Sequence, residues 1–216
     1  MPKVVRMVAD IVTAKCTGCN LCVNVCPTVA LGLRARRPDE PGPSKKVAVL
    51  DAAACYNAQN CLEICPEDAI VMRDLDPPFS VGFDHTTVDR AAIERLCAMT
   101  GFSPNLAVCV CTRTTVAEIA GAILAGADTP EKVALATGAR TGCTELCLQP
   151  ILILLAAAGH GDKPRNPPRG FQWYGIGGTL YQHARLDGTF PEDLVADFPS
   201  YPLDRELLDL ARLRRS

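Results

Sequence analysis

Four short segments near the amino terminus carry β-branched and apolar residues in near-alternation with polar ones. They cover residues 4–14, 31–33, 47–50 and 69–72. Because such alternation is typical of a strand with one buried face, the pattern predicts four strands. They form two pairs, and each pair encloses a cysteine-rich loop and a short helix. The stretch at 76–78, Asp-Pro-Pro, predicts the end of this unit and the start of a linker.

Apolar residues at helical spacing replace this alternation further along the chain. The spacing predicts helices over residues 87–100, 116–124, 130–137 and 141–155. Their end signals are Thr86 or Thr87 with Gly101 for the first, Gly126 for the second, and Thr129 with Pro130 and Gly138 for the third. The fourth helix places Cys143 and Cys147 one turn apart on one face, near a helix end whose dipole favours thiolates.

The two loops between the predicted strands repeat one cysteine pattern. The first loop reads Cys16, Cys19, Cys22 and Cys26-Pro27, and the second reads Cys55, Ala58, Cys61 and Cys65-Pro66. Three thiolates on a tight loop converge on the corners of one iron–sulfur cube, whereas the fourth points away. The pattern therefore predicts two centres, each of which takes one ligand from the other motif.

Over residues 7–78 the sequence resembles the dicluster bacterial-type ferredoxins, in which the last cysteine of each motif ligates the other cluster. The resemblance implies a [4Fe–4S] cluster on Cys16, Cys19, Cys22 and Cys65. It leaves the second cluster with Cys26, Cys55 and Cys61, because the methyl group of Ala58 cannot coordinate iron. We expect [3Fe–4S] there. The alternatives are a [4Fe–4S] cluster with water, a non-cysteine side chain or a partner-derived ligand, and an empty structural site.

Four further cysteines lie beyond residue 100, as the pairs Cys109 and Cys111, and Cys143 and Cys147. Residues 107–157 resemble the bacterioferritin-associated-ferredoxin-like (BFD-like) [2Fe–2S] domain, in which two cysteine pairs flank about thirty residues of two helices. The chain departs from that pattern because three residues, not two, separate its last pair. The resemblance implies one [2Fe–2S] cluster on these four thiols; a zinc site and no metal are the alternatives. The remaining Cys97 is expected to be buried and inert.

Composition narrows the class of protein and its location. Hydrophobic residues make up 48% of the chain and charged residues 21%, as in a soluble globular protein. A net charge of −2 argues against nucleic-acid binding. We expect no secretory signal at the amino terminus, and the longest apolar run, at 151–158, is too short to span a bilayer. Cysteines without an export signal are expected to be metal ligands in the cytoplasm.

The sequence thus predicts an α+β protein in four parts. Residues 1–80 form a pseudo-symmetric dicluster ferredoxin-like domain, 81–106 a linker and helix, 107–159 a helical BFD-like [2Fe–2S] domain, and 160–216 an extended arm with a terminal helix at 203–213. Most aromatic residues of the chain lie in this arm. It is either a strap on its own domains or, as aromatic content favours, a docking arm for a partner subunit.

We expect no catalytic residue in this chain. The glycines at 175–178 lack a strand-turn-helix context, and the three histidines are scattered singly. The expected function is an iron–sulfur electron-transfer subunit that relays electrons within a multi-subunit oxidoreductase. Its catalytic partner is expected to be flavin- or molybdenum-dependent and to dock partly through residues 160–216. The alternatives are a free ferredoxin-type electron shuttle and a redox- or iron-sensing regulator.

Overall fold

The computed structural model describes residues 2–161, which form helices and small antiparallel strand pairs. The α+β class is therefore confirmed for this part of the chain. The strands are β1 Lys3–Ile11, β2 Leu31–Ala35, β3 Lys46–Leu50, β4 Ile70–Val81, β5 Ala107–Cys109 and β6 Thr114–Thr115. The helices are α1 Leu21–Val25, α2 Asn60–Glu63, α3 Arg90–Thr100, α4 Val116–Leu124, α5 Pro130–Thr137 and α6 Leu148–Leu155. From residue 162 onward the predicted arm, with its helix at 203–213, lies outside the described residues.

The amino-terminal half repeats the order strand, cysteine loop, short helix, strand, as the sequence predicts. β1 pairs with β4 and β2 pairs with β3, both antiparallel, so the repeats interlock through their outer and inner strands. Val5, Val8 and Val47 are fully buried between these ribbons. Each such side chain stabilises the fold by about 1.5–3 kcal/mol. The cysteine loops are thereby fixed on a packed base.

The prediction that this unit ends at residues 76–78 is wrong. β4 continues to Val81, because Lys3 pairs with Val81 and Val5 with Phe79. Residues 75–78 form an irregularity in that register, where the two prolines need not donate to the strand ladder. This extension lengthens the β1–β4 sheet so that it reaches the helical half of the chain.

Helix α3 begins three residues later than the sequence predicts. The side chain of Asp89, rather than of Thr86 or Thr87, accepts a hydrogen bond from the N–H of Ala91. Gly101 ends the helix in the left-handed conformation, as predicted. Cys97 on this helix is only 2% exposed and packs in the apolar core, so its predicted burial is confirmed.

Helices α4 and α5 match their predicted positions. Thr115 and Glu118 form a capping box at the start of α4, and Thr129 caps α5 with Pro130 at its first position. Gly138 then ends α5 with φ of +76°. None of the described helices has the length and hydropathy needed to traverse a bilayer.

Helix α6 does not begin near residue 141, so the prediction that Cys143 and Cys147 share a helical face is wrong. α6 begins at Leu148, with Cys147 as its N-cap residue. Pro150 gives the physical reason: it lacks an N–H and its ring would clash inside a longer helix, whereas the first turn tolerates it. Residues 141–147 instead form a loop in which Thr144 has φ of +63°.

Candidate metal centres

Cys16, Cys19, Cys22 and Cys65 line one cavity of the ferredoxin half. Three of these cysteines come from the first motif and one from the second. The empty volume of the cavity is about 360 Å³, counting the part open to solvent. The rest of the wall is mainly apolar and includes Ile11, Leu33, Ala48, Ala69 and Ile70. The structure therefore brings together the four residues proposed for the first cluster.

Cys26, Cys55 and Cys61 line a second cavity of the same size, about 360 Å³. Ala58 also lines it, and no fourth cysteine does so among residues 2–161. The polar residues Asn57, Gln59 and Asn60 also line this cavity. The second site is therefore a three-thiol cavity with the alanine on its wall.

The two loops present their residues with the same backbone. Gly18 and Asn20 have φ of +65° and +73° on either side of Cys19. Asn57 and Gln59, with φ of +57° and +64°, flank Ala58 in the same way. The second loop thus keeps the conformation that presents a ligand in the first loop, although its side chain there is a methyl group.

Backbone N–H groups hydrogen-bond to sulfur atoms in the same arrangement in both halves. The pairs, given from nitrogen to Sγ, are Ala48 to Cys16 at 3.4 Å, Ala9 to Cys55 at 3.5 Å, Ala30 to Cys26 at 3.3 Å and Ala69 to Cys65 at 3.4 Å. Such bonds stabilise thiolate charge and set the reduction potential of an iron–sulfur cluster. Each site therefore receives one bond from a strand and one from the end of the other motif's loop.

In each cavity one buried thiol is costly to ionise, Cys22 in the first and Cys61 in the second. Burial, followed by the neighbouring Cys16 and Cys19 sulfurs, raises the pKa of Cys22 to about 11. Burial, followed by Cys26 and Cys55, raises the pKa of Cys61 to about 12. A bound metal centre inverts this balance, because its positive charge stabilises the thiolates. The donor sets therefore fit metal clusters.

The four remaining site residues come together in the helical half. Cys109 ends β5, Cys111 follows it, Cys143 lies in the 141–147 loop, and Cys147 caps α6. The side chain of Cys109 is hydrogen-bonded to that of Cys147, and the side chain of Cys111 to that of Cys143. Cys109 and Cys147 are buried, whereas Cys111 and Cys143 are exposed. The site thus has an inner and an outer edge.

Hydrogen-bond donors favour a negative charge at this third site. The thiol of Cys147, then the Thr112 side chain and the N–H groups of Arg140 and Thr112, lower the pKa of Cys109 to about 5. The proton that Cys147 donates to Cys109, together with burial, raises the pKa of Cys147. N–H groups of Leu146 and Glu145 lower the pKa of Cys143. These donors suit the thiolates of a metal cluster.

Arg140, Thr112 and Gly142 support this site, and the sequence did not single them out. Arg140 is 1% exposed, and its guanidinium lies 3.7 Å from Glu131. Its charge stabilises the thiolate of Cys147. Arg140, Thr112 and Gly142 all lie within three residues of a proposed ligand in the sequence, which was a reason to expect them at the site. Their hydrogen bonds and burial were not predictable, because both depend on how the loops fold.

Gly142 allows the outer edge to close. A Cβ atom at this position would lie 2.5 Å from the Cβ and 2.9 Å from the Sγ of Cys111. We expect Gly142→Ala to lower metal affinity at this site by about 10–100-fold, as changes around metal ligands do. Iron and sulfide analysis with visible circular dichroism after anaerobic reconstitution will measure the loss.

The matched control for this variant is Gly101→Ala. Gly101 lies at the end of α3, where a Cβ atom meets nothing within 4 Å, and the cost of the substitution there is the backbone strain of φ at +73°. It should lower stability and leave the cluster in place. Full [2Fe–2S] content in Gly142→Ala would contradict the close approach to Cys111.

The zinc alternative requires several ligands around a single ion. Across residues 2–161, no three histidine, cysteine, aspartate or glutamate side chains are grouped so that they could hold one metal ion.

Comparison with known families agrees with both resemblances. A family model of a 4Fe-4S dicluster domain matches residues 15–69, and a model of a BFD-like [2Fe-2S] binding domain matches residues 107–157. No curated protein matches the chain. Iron–sulfur domains of these kinds indicate electron transfer. The chain therefore carries, in this order, a 4Fe-4S dicluster domain and a BFD-like [2Fe-2S] binding domain.

Proposed function

We propose that this chain is the electron-transfer subunit of a multi-subunit oxidoreductase and relays electrons to or from a flavin- or molybdenum-dependent catalytic subunit. The observation that carries the proposal is the exposure of the three cysteine sets. Cys19 of the first set and Cys111 and Cys143 of the third set are exposed, whereas no cysteine of the second set is. Two sites therefore reach the surface, as the entry and exit of a relay require.

The proposed ligand sets of this relay are the two groups of thiols that line the cavities and the four thiols that lie together in the helical half. Cys16, Cys19, Cys22 and Cys65 hold the [4Fe–4S] cluster, and Cys109, Cys111, Cys143 and Cys147 hold the [2Fe–2S] cluster. Cys26, Cys55 and Cys61 hold [3Fe–4S], because their cavity offers three thiols and a methyl group. Bound clusters supply one-electron redox chemistry over a wide range of potentials. The surrounding N–H groups and burial set where in that range each site lies.

The outer edge of the [2Fe–2S] site is suited to a protein partner. Val110 and Leu146, which lie beside the ligands in the two loops, are 71% and 74% exposed. Apolar side chains around an exposed redox site let a partner approach closely and exclude water. Exchange with the catalytic subunit therefore takes place at this edge, with the 160–216 arm adding contact area.

We propose a cytoplasmic location from the state of the cysteines. None of the twelve forms a disulfide in the structure, and eleven belong to the three proposed sites. Cysteines that serve as metal ligands and form no disulfide are typical of a reducing compartment, which supports this location.

The experiment for this proposal is anaerobic purification of the full, tagged chain from native extract. We expect a catalytic subunit with bound flavin or molybdenum cofactor to co-purify in fixed stoichiometry. Trp173→Ala in the proposed arm should reduce its retention about tenfold or more, since tryptophan is a frequent interface anchor, and leave the cluster spectra unchanged. Phe102→Ala, outside the arm, serves as the aromatic control.

The opposite outcome is a cluster-loaded chain that leaves native extract as a monomer. That result would contradict the subunit proposal and favour a free electron shuttle. Equal partner retention by Trp173→Ala and the unchanged chain would contradict docking through that tryptophan.

A further inference from the structure

Strand β1 touches both the second ferredoxin site and the [2Fe–2S] site. Near its end, the N–H of Ala9 donates to the Sγ of Cys55. At its start, the Nζ of Lys3 donates to the carbonyl oxygen of Thr141 at 2.7 Å and to its hydroxyl at 2.8 Å. Thr141 opens the loop that carries Cys143. One strand therefore contacts ligand-bearing segments of two sites.

A second contact joins the same two sites. The amide Nδ2 of Asn60 donates to the hydroxyl of Thr144 at 3.2 Å. Asn60 precedes Cys61 of the second ferredoxin site, and Thr144 follows Cys143 of the [2Fe–2S] site. Thr144 is buried and is held in the left-handed conformation. One hydrogen bond thus joins the residue next to Cys61 in the second ferredoxin site to the residue next to Cys143 in the [2Fe–2S] site.

Tyr56 fixes the position of the two halves at this junction. Its hydroxyl donates to the carbonyl oxygen of Leu135 in α5 at 2.9 Å, and its ring packs edge-on against Phe79 in β4 at 6.0 Å between centroids. Tyr56 also lines the second cavity. The halves are therefore joined beside that site.

Lys3 lies within the field of both sets of sulfurs. Burial lowers its pKa, whereas the charges of Cys109, Cys55 and Cys111, in that order, act against this shift. Two of these sulfurs belong to the [2Fe–2S] site and one to the second ferredoxin site. An ammonium group held by two hydrogen bonds is a fixed positive charge shared by both.

We propose that the second ferredoxin site and the [2Fe–2S] site exchange one electron directly across this junction, and that Lys3 is the positioning residue that sets their relative potentials. The inference rests on the proposed relay. One site loses the electron and the other gains it, with no bond made and no proton transferred. Because reduction adds negative charge, the ammonium group of Lys3 favours the reduced state of both sites. The effect is larger at the [2Fe–2S] site.

The first test is redox titration of Lys3→Met in the full chain, followed by electron paramagnetic resonance. We expect the reduced-to-oxidised ratio of the [2Fe–2S] centre at fixed potential to fall about tenfold, equivalent to about 59 mV for one electron. The second ferredoxin centre should shift less, and the first should not shift. Lys3→Arg should retain the wild-type values. Lys132→Met, which removes a lysine 55% exposed on α5, is the charge-matched control.

Unchanged potentials in Lys3→Met, or a shift equal in all three centres or equal to that of Lys132→Met, would overturn the role of Lys3. The clusters remain present in those outcomes, so the proposed relay would stand. A wild-type chain without the three clusters would instead overturn the relay itself.

The second test keeps the proposal open to refutation if Lys3→Met fails to fold. Asn60→Ala removes the hydrogen bond to Thr144 and leaves Lys3 and all ligands in place. After rapid partial reduction, freeze-quenched spectra should show electron exchange between the two centres that is severalfold slower than any change in their titrated potentials accounts for. An unchanged exchange rate would overturn the direct route across this junction.

Discussion

Replacing Cys26 by serine is expected to abolish the second ferredoxin centre and to leave the first centre intact. Cys26 belongs to the first cysteine motif in sequence, yet it lines the cavity of Cys55 and Cys61. With only two thiols left, that cavity cannot hold a cluster of three or more irons. Electron paramagnetic resonance of the oxidised and reduced protein, with iron and sulfide analysis, will identify which centre is lost.

The reciprocal variant is Cys65→Ser. Cys65 belongs to the second motif but lines the first cavity, so its loss should damage the [4Fe–4S] centre and spare the oxidised-state signal of the other. The pair of variants has matched chemistry and opposite expected results. Loss of the first centre in Cys26→Ser, with the second retained, would contradict the crossed ligand sets.

Ala58→Cys is expected to convert the second centre from [3Fe–4S] to a full cube. Asn57 and Gln59 flank position 58 in the left-handed conformation, as Gly18 and Asn20 flank Cys19. A thiol introduced at position 58 therefore lies in the wall of the second cavity. The oxidised protein should lose its [3Fe–4S] paramagnetic signal and gain about one iron per chain. Ala58→Ser is the control of similar size and should retain the signal.

Two results would contradict that conversion. If the wild-type chain, isolated without air, shows no oxidised-state [3Fe–4S] signal, then there is no [3Fe–4S] centre for Ala58→Cys to convert. Ala58→Cys with an unchanged signal would show that position 58 does not present a ligand. In the first case, a full cube in the wild type would point to a ligand other than cysteine at the fourth corner.

Local chemistry made much of the fold predictable from the sequence. The strands around the cysteine loops alternate with period two, and Thr129, Pro130 and Gly138 specify α5 without help from distant residues. Turns and caps of this kind depend on residues a few positions apart. The thiol sets were predicted from the two family resemblances, because the chain shares most of the cysteine spacings of those families.

What the sequence did not predict depends on contacts between distant segments. β4 passes through two prolines because β1 is available to pair beyond them. Pro150 indicates a late start for α6, but the prediction followed the helical spacing of apolar residues, which favoured a start near residue 141. Nothing near Lys3 indicates that it reaches Thr141, because only the packing of β1 against the helical half brings them together.

Metal and sulfide analysis of the full chain, purified without air, will decide whether eleven of its thiols hold three iron–sulfur clusters. We expect a coloured protein with about nine iron and ten sulfide ions per chain, the content of one [4Fe–4S], one [3Fe–4S] and one [2Fe–2S] cluster. A colourless protein that carries zinc, or no metal, in place of iron and sulfide would contradict it.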